Sequence, residues 1–184
     1  SIANMQLRLP VVIIGGGLTA IDTATESLAY YVVQVEKFLA RFQDLSALNG
    51  EDAIRDRWTP EEREIAEEFL SHARAIRAER RKASAEGRAP RIAEMLQHWG
   101  GATLAYRRRL VDSPSYTLNH EEVEKALEEG ILFAEGLTPL AVEVDDYGAV
   151  SGMRFRRQQF DADGKGFDDG EIRLPTCSVF IAAG

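Results

Sequence analysis

Cysteine is almost missing from the chain: one residue, Cys177, in 184. That excludes an internal disulfide and a C-x-x-C redox pair. Set in "PTCSVFIAAG" at the start of an apolar run, Cys177 reads as a buried structural thiol. Histidine is nearly as scarce, and His72, His98 and His120 show neither ligand spacing nor a carboxylate or serine in register. No metal site and no hydrolytic triad is readable. Basic residues are outnumbered, 22 Lys and Arg against 30 Asp and Glu for a net charge of −8, which argues against nucleic acid or an anionic membrane as partner. No apolar run reaches the 18 or more residues of a membrane helix, and no signal-peptide pattern opens the chain, so a soluble cytoplasmic protein is expected. Internal repeats and long Gly/Ser- or Pro-rich linkers are also lacking. "DADGKGFDDGEI", from Asp161, begins like a calcium loop, but Lys165 takes the fifth ligand position and Ile172 stands where a bidentate glutamate is required. A glycine-rich hairpin connection is expected there.

What is present starts at residue 10, in "PVVIIGGGLTAIDTATE". Four β-branched residues, Val11 to Ile14, read as a strand buried on both faces of a parallel sheet. Gly15, Gly17 and Ala20 then fit the G-x-G-x-x-G/A spacing: a tight turn, a backbone that a pyrophosphate can approach, and a small residue where helix packs on strand. A helix beginning near Leu18 aims its unpaired N–H groups and positive dipole end at the same spot. The turn and helix start, Gly15, Gly16, Gly17, Leu18, Thr19 and Ala20, are the candidate phosphate cradle.

The fingerprint calls for a second strand about 20 residues on. Instead the helix continues, with Leu28, Tyr31, Val32, Val35, Phe38, Leu39 and Phe42 on one face. A second helix opens with Thr59 as N-cap, Pro60 at N1 and Glu62 at N3, a capping box. Its apolar stripe, Ile65, Phe69, Ala73 and Ile76, is narrow within a charged surround. "APRIAEMLQHWGG" gives a third short helix closed by Gly100 and Gly101. Only then does "ATLAY" supply the displaced second strand, ending in Arg107, Arg108 and Arg109. A helix over "HEEVEKALEEG", with Asn119 and Glu122 as a second capping box, leads to the strand "ILFAE". A hairpin turning at Tyr147 and Gly148, an edge strand and the returning core strand "VFIAAG" complete the pattern. The fold class is α/β: a Rossmann-like parallel sheet with flanking helices, a β-hairpin or meander, and an inserted helical subdomain.

"VVIIGGGLTAIDTA", "GATLAYRRR", "HEEVEKALEEGILF", "GAVSGMRF" and "VFIAAG" together resemble the nucleotide-binding domain of the glutamate synthase small-subunit-like flavoproteins, within the pyridine nucleotide-disulfide oxidoreductases. The resemblance covers roughly residues 9–29 and 100–184. It implies an NAD(P)H-binding domain over 1–29 and 100–184 that presents the nicotinamide of NADPH for hydride transfer to FAD. It also implies that Arg107 and Arg108 hold the NADPH 2′-phosphate, as suits guanidinium forks. Ala183 and Gly184 correspond to the alanine-glycine pair leading back to the FAD-binding domain, which is the expected partner within the same full-length protein. FAD is expected to be bound mainly by flanking segments, the chain being an excised domain. No catalytic acid or base is assigned.

Two features depart from that family. Leu18 stands where it commonly has aspartate, and residues 30–99 form a helical insertion where it has a few residues. The strong stripe on the first helix and the narrow one on the second lead to the expectation that the insertion packs on itself and contacts a partner subunit, a second copy in a homo-oligomer, or the flavin domain; a self-contained pair of helices is the alternative. Other readings are an FAD- or NAD-binding module, which should carry an acid at the end of the second strand, and an interaction module built on the insertion.

Overall fold

A computed structural model describes residues 6–113, 116 and 120–182. They form two compact units, one of residues up to Leu28 and from Leu96 onward, the other Ala29–Met95. In chain order come β1 (Val11–Ile14), α1 (Leu18–Asn49), α2 (Glu51–Arg55), α3 (Pro60–Glu86), α4 (Ile92–His98) and β2 (Ala102–Ala105). A 3-10 turn at Leu110–Asp112 precedes α5 (His120–Glu128), β3 (Leu132–Ala134), β4 (Leu137–Val144), β5 (Val150–Phe160), β6 (Gly166–Pro175) and β7 (Ser178–Ile181). The capping box expected at Asn119, and Ala183 and Gly184, lie outside the described residues.

In the first unit β1, β2, β3 and β7 form a parallel sheet in the order β3-β2-β1-β7. Val11 pairs with Ala102 on one side and with Ser178 on the other. A strand flanked on both sides and covered on both faces has no solvent-facing positions, which is why "VVII" carries no polar alternation; Val11, Val12 and Ile13 are fully buried. Because all four strands run the same way, the residues after Ile14, Ala105 and Ile181 emerge at one edge. The order reverses between β1 and β7, and the crevice at such a reversal is where open α/β sheets take ligands.

The antiparallel sheet β4-β5-β6 belongs to the same unit. Leu137, Met153 and Phe155 from it share a core cluster with Val12 and Ala105 of the parallel sheet. The β4–β5 turn falls at Tyr147 and Gly148 as expected, held by the Asp145 carboxylate, which accepts from the N–H groups of Tyr147 and Ala149. The calcium-like run is the expected hairpin: the Asp161 carboxylate accepts from the N–H groups of Asp163 and Lys165, so its oxygen serves the turn. Cys177 departs from expectation in being half-buried. It follows Pro175 at the short crossing between the sheets, where its N–H donates to the Pro10 carbonyl.

The second unit is helical, and α3 starts with the predicted reciprocal cap: Glu62 N–H donates to the Thr59 hydroxyl and Thr59 N–H to the Glu62 carboxylate. The expectation that α3 is too narrow to cover the apolar face of α1 is corrected here. Tyr31, Val32, Val35, Leu39 and Phe42 are buried within the chain. The reason is that Ala66, Leu70 and Ala83 widen the α3 stripe beyond the four residues singled out. In addition Trp58, from the link between α2 and α3, lies against Phe38 and Phe42 with ring centroids 6.3 and 5.8 Å away. Phe69 meets Tyr31 and Phe38 edge-on at 5.9 and 5.8 Å, the favoured geometry for aromatic pairs. Arg55 seals the cluster by standing 5.1 Å over the Phe42 ring while its fork donates to Glu51 and Glu67.

Candidate functional site

The glycine turn divides its three glycines between two jobs. A Cβ on Gly15 would come within 2.5 Å of the Ala182 carbonyl oxygen and 3.1 Å of the Ala20 Cβ, and its φ of +151° is one side chains rarely adopt. Gly16 is packed by the Tyr106 ring, whose Cδ2 would stand 2.4 Å from an added Cβ. At Gly17 an added Cβ meets nothing within 4 Å. The first two glycines therefore let the turn fit its neighbours, and the third leaves open space at the start of α1. There the Gly17 carbonyl accepts from the N–H groups of Ala20 and Ile21 at 3.0 and 3.3 Å, while the earliest N–H groups of a helix have no intrahelical acceptor.

That space belongs to a cleft of about 590 Å³, within the usual size of a small-molecule site. Gly15, Gly16, Gly17 and Thr19 line one side, Tyr106, Arg107 and Arg108 from the end of β2 a second, and Leu137, Thr138 and Pro139 of β4 a third. The structure thus brings the predicted cradle and the predicted arginines into one cavity. Leu18 and Ala20 sit in the first turn of α1 without lining it, Ala20 serving instead as the small residue against Gly15.

The three consecutive arginines are not equivalent. Arg107 and Arg108 are exposed, and among the described residues neither guanidinium has a hydrogen bond or an ion pair. Arg109 is engaged: Nε and Nη2 each donate to the Asp112 carboxylate at 2.8 Å. A Cβ on Gly164, at the tip of the β5–β6 hairpin, would come 2.6 Å from the Arg109 Cζ. Arg109 holds the Asp112 carboxyl below the usual carboxylate range, chiefly through these hydrogen bonds, with the charge of Arg108 contributing. Asp112 itself lines the cleft.

The loop after β2 is tied down at three further points. Leu110 N–H donates to the Glu135 carboxylate at 2.8 Å, Leu137 N–H to the Tyr106 carbonyl at 2.9 Å, and the buried Ser113 hydroxyl to the Gly16 carbonyl. Asp112, Ser113, the β4 segment Leu137 to Pro139 and Ala182 escape a reading of the sequence. The carboxylate three residues after Arg109 is the one local signal that could have been read, as an ion pair across a short turn. Among the described residues no group of three or more metal-ligating side chains exists, and no helix is long and apolar enough to cross a membrane.

No family model matches the chain. Over 152 residues, 83% of the chain, it is 41% identical to an uncharacterized protein of Rickettsia prowazekii (strain Madrid E), and it spans 19% of that protein's length. Among solved structures it is similar to FprA, a Mycobacterium tuberculosis oxidoreductase, in a structure that revealed a covalent modification of NADP+ and in one in complex with NADPH. The identities are 14% and 13% and the TM-scores 0.36 and 0.37, each covering 93% of this chain and 38% of that one. At these scores the reading of the site rests on its own geometry.

Proposed function

We propose that the sheet unit is an NADPH-binding domain of an FAD-dependent oxidoreductase of the glutamate synthase small-subunit-like type. The observation that carries this reading is one cleft lined both by an open glycine backbone at a helix N-terminus and by two arginines without partners among the described residues. The first suits a pyrophosphate. The second suits a further phosphate, because guanidinium forks bind phosphate bidentately and keep their charge at any working pH. Gly17 and the start of α1 would hold the pyrophosphate, and Arg107 and Arg108 the 2′-phosphate. An NAD or FAD module with an acid at the end of the second strand fits less well, since arginines stand there and Asp112 is occupied by Arg109.

When bound, NADPH supplies a hydride and FAD accepts it; the protein contributes binding and orientation. In this proposal the flavin is held mainly by an FAD-binding domain of the same protein, outside this chain. The helical unit closes its own core, so the apolar stripe that motivated a docking role gives no support to one. Equilibrium titration with NADPH and NADH tests the reading. Tighter binding of NADPH is expected, and equal affinities would overturn the 2′-phosphate assignment.

A further inference from the structure

Three arginines in a row at a phosphate site invite the idea that all three are ligands, yet Arg109 gives Nε and Nη2 to Asp112 and does not line the cleft. What that commitment accomplishes is visible from the acid's side. Asp112 lines the same cleft as Arg107 and Arg108, and Arg108 is near enough for its charge to act on the Asp112 carboxyl. For a carboxylate left free at that position, the guanidinium of Arg108 is the other cation whose charge already acts on it. Pairing would neutralise one of the two groups available to a ligand phosphate and set a negative charge beside the other.

We propose that Arg109 is a positioning residue that sequesters Asp112 and so keeps Arg108 available for an anionic ligand. The surroundings of Arg109 suit this task. The Gly164 backbone of the β5–β6 hairpin tip packs against its guanidinium, and the loop that carries it is pinned by the Leu110 N–H to Glu135 and by the Ser113 hydroxyl to the Gly16 carbonyl. Arg109 and Asp112 are thereby held as a closed pair beside two open cations. The inference rests on the NADPH reading and adds to it a residue that sets nucleotide preference without touching the nucleotide.

The test is a rescue experiment on the ratio of NADPH to NADH affinity, measured by equilibrium titration of wild type, Arg109→Gln, Asp112→Asn and the double variant, with circular dichroism as the check on folding. Arg109→Gln should lose roughly tenfold or more of the preference for NADPH, as expected when one charge-assisted phosphate contact is lost. Asp112→Asn should keep it. The double variant should regain it, because no acid is left to capture Arg108. If Arg109 were itself a phosphate ligand, the double variant would stay as weak as Arg109→Gln, and that result would overturn the proposal. So would an unchanged preference in Arg109→Gln. Should Arg109→Gln fail to fold, Arg109→Lys, which keeps a charge but offers no fork, should show a partial loss relieved by Asp112→Asn, and no relief counts against the proposal. A wild type that binds both nucleotides equally defeats the underlying NADPH reading instead, and this inference with it.

Discussion

The ring of Tyr106 lies so close over Gly16 that a single added carbon would stand 2.4 Å from Cδ2 and 2.6 Å from Cγ. Cγ is one bond from Cβ and so moves little unless the backbone shifts, and the Tyr106 backbone is held by the Ala134 carbonyl and the Leu137 N–H. Gly16→Ala should therefore lower stability by about 1 to 3 kcal/mol through overpacking. Gly17→Asp, with nothing within 4 Å of its Cβ, should fold normally and lose NADPH binding, because it sets a negative charge where a pyrophosphate would lie. Thermal melts of both variants beside an NADPH titration of the second check the pair. Undiminished NADPH affinity in folded Gly17→Asp would remove the cradle from the site.

Replacing Arg107 and Arg108 together by alanine should weaken NADPH far more than NADH. Each charge-assisted contact is worth about 1.5 to 3 kcal/mol before non-additivity. Both side chains are exposed and unpaired among the described residues, so their loss should leave the melting temperature nearly unchanged. A parallel fall in both affinities would mean that the arginines read something other than the 2′-phosphate.

Phe69 touches both Tyr31 and Phe38 edge-on and is buried. Phe69→Ala should cost about 3 to 5 kcal/mol, the usual range for emptying an aromatic site in a core. Denaturant unfolding followed by Trp58 fluorescence reads the loss directly, since Trp58 lies against Phe38 in the same cluster. A loss below about 1 kcal/mol would show that the aromatic cluster is not a packed core.

His72 stands 2.6 Å from the Tyr31 hydroxyl through Nδ1, and burial lowers its pKa below the ordinary 6.5, against a weaker opposing pull from Glu68. A histidine depressed in the folded state binds fewer protons than the unfolded chain does at acidic pH. Its stabilising contribution is present above about pH 6.5 and is lost as pH falls through the lower, folded value. Wild type should thus lose stability more steeply than His72→Gln as pH is lowered from neutrality, and NMR titration of the His72 ring should give a midpoint under 6.5. A midpoint at or above that value would contradict the burial argument.

How much of this could be read in the sequence varies with how local the determining forces are. The glycine turn, the uninterrupted α1 and the Thr59–Glu62 cap are set by neighbours a few residues away, and each falls where the pattern puts it. The α3 stripe is wider than its sequence suggests because Ala66, Ala83 and the single leucine, Leu70, count for little in a charged helix until a facing surface selects them. Ser113 meets the Gly16 carbonyl across 97 positions of chain, a pairing with no local signature. Leu137, Thr138 and Pro139 enter the cleft only because β4 leaves β3 through Gly136, whose N–H donates to the Arg108 carbonyl.

The placing of β1 at the centre of its sheet has a consequence for the order of folding. Val11 finds one partner 91 positions later, at Ala102, and the other 167 positions later, at Ser178. A chain made from its N-terminus presents the glycine turn before either flanking strand and must wait for both. The two long helices lie between, and their contacts, such as Tyr31 with Phe69, span far shorter stretches, so loop closure penalises them less and they can form first. The Ala182 carbonyl that crowds Gly15 comes later still, after β7. If the cleft binds a nucleotide as proposed, the ligand would add its stabilisation only once these strands are in place.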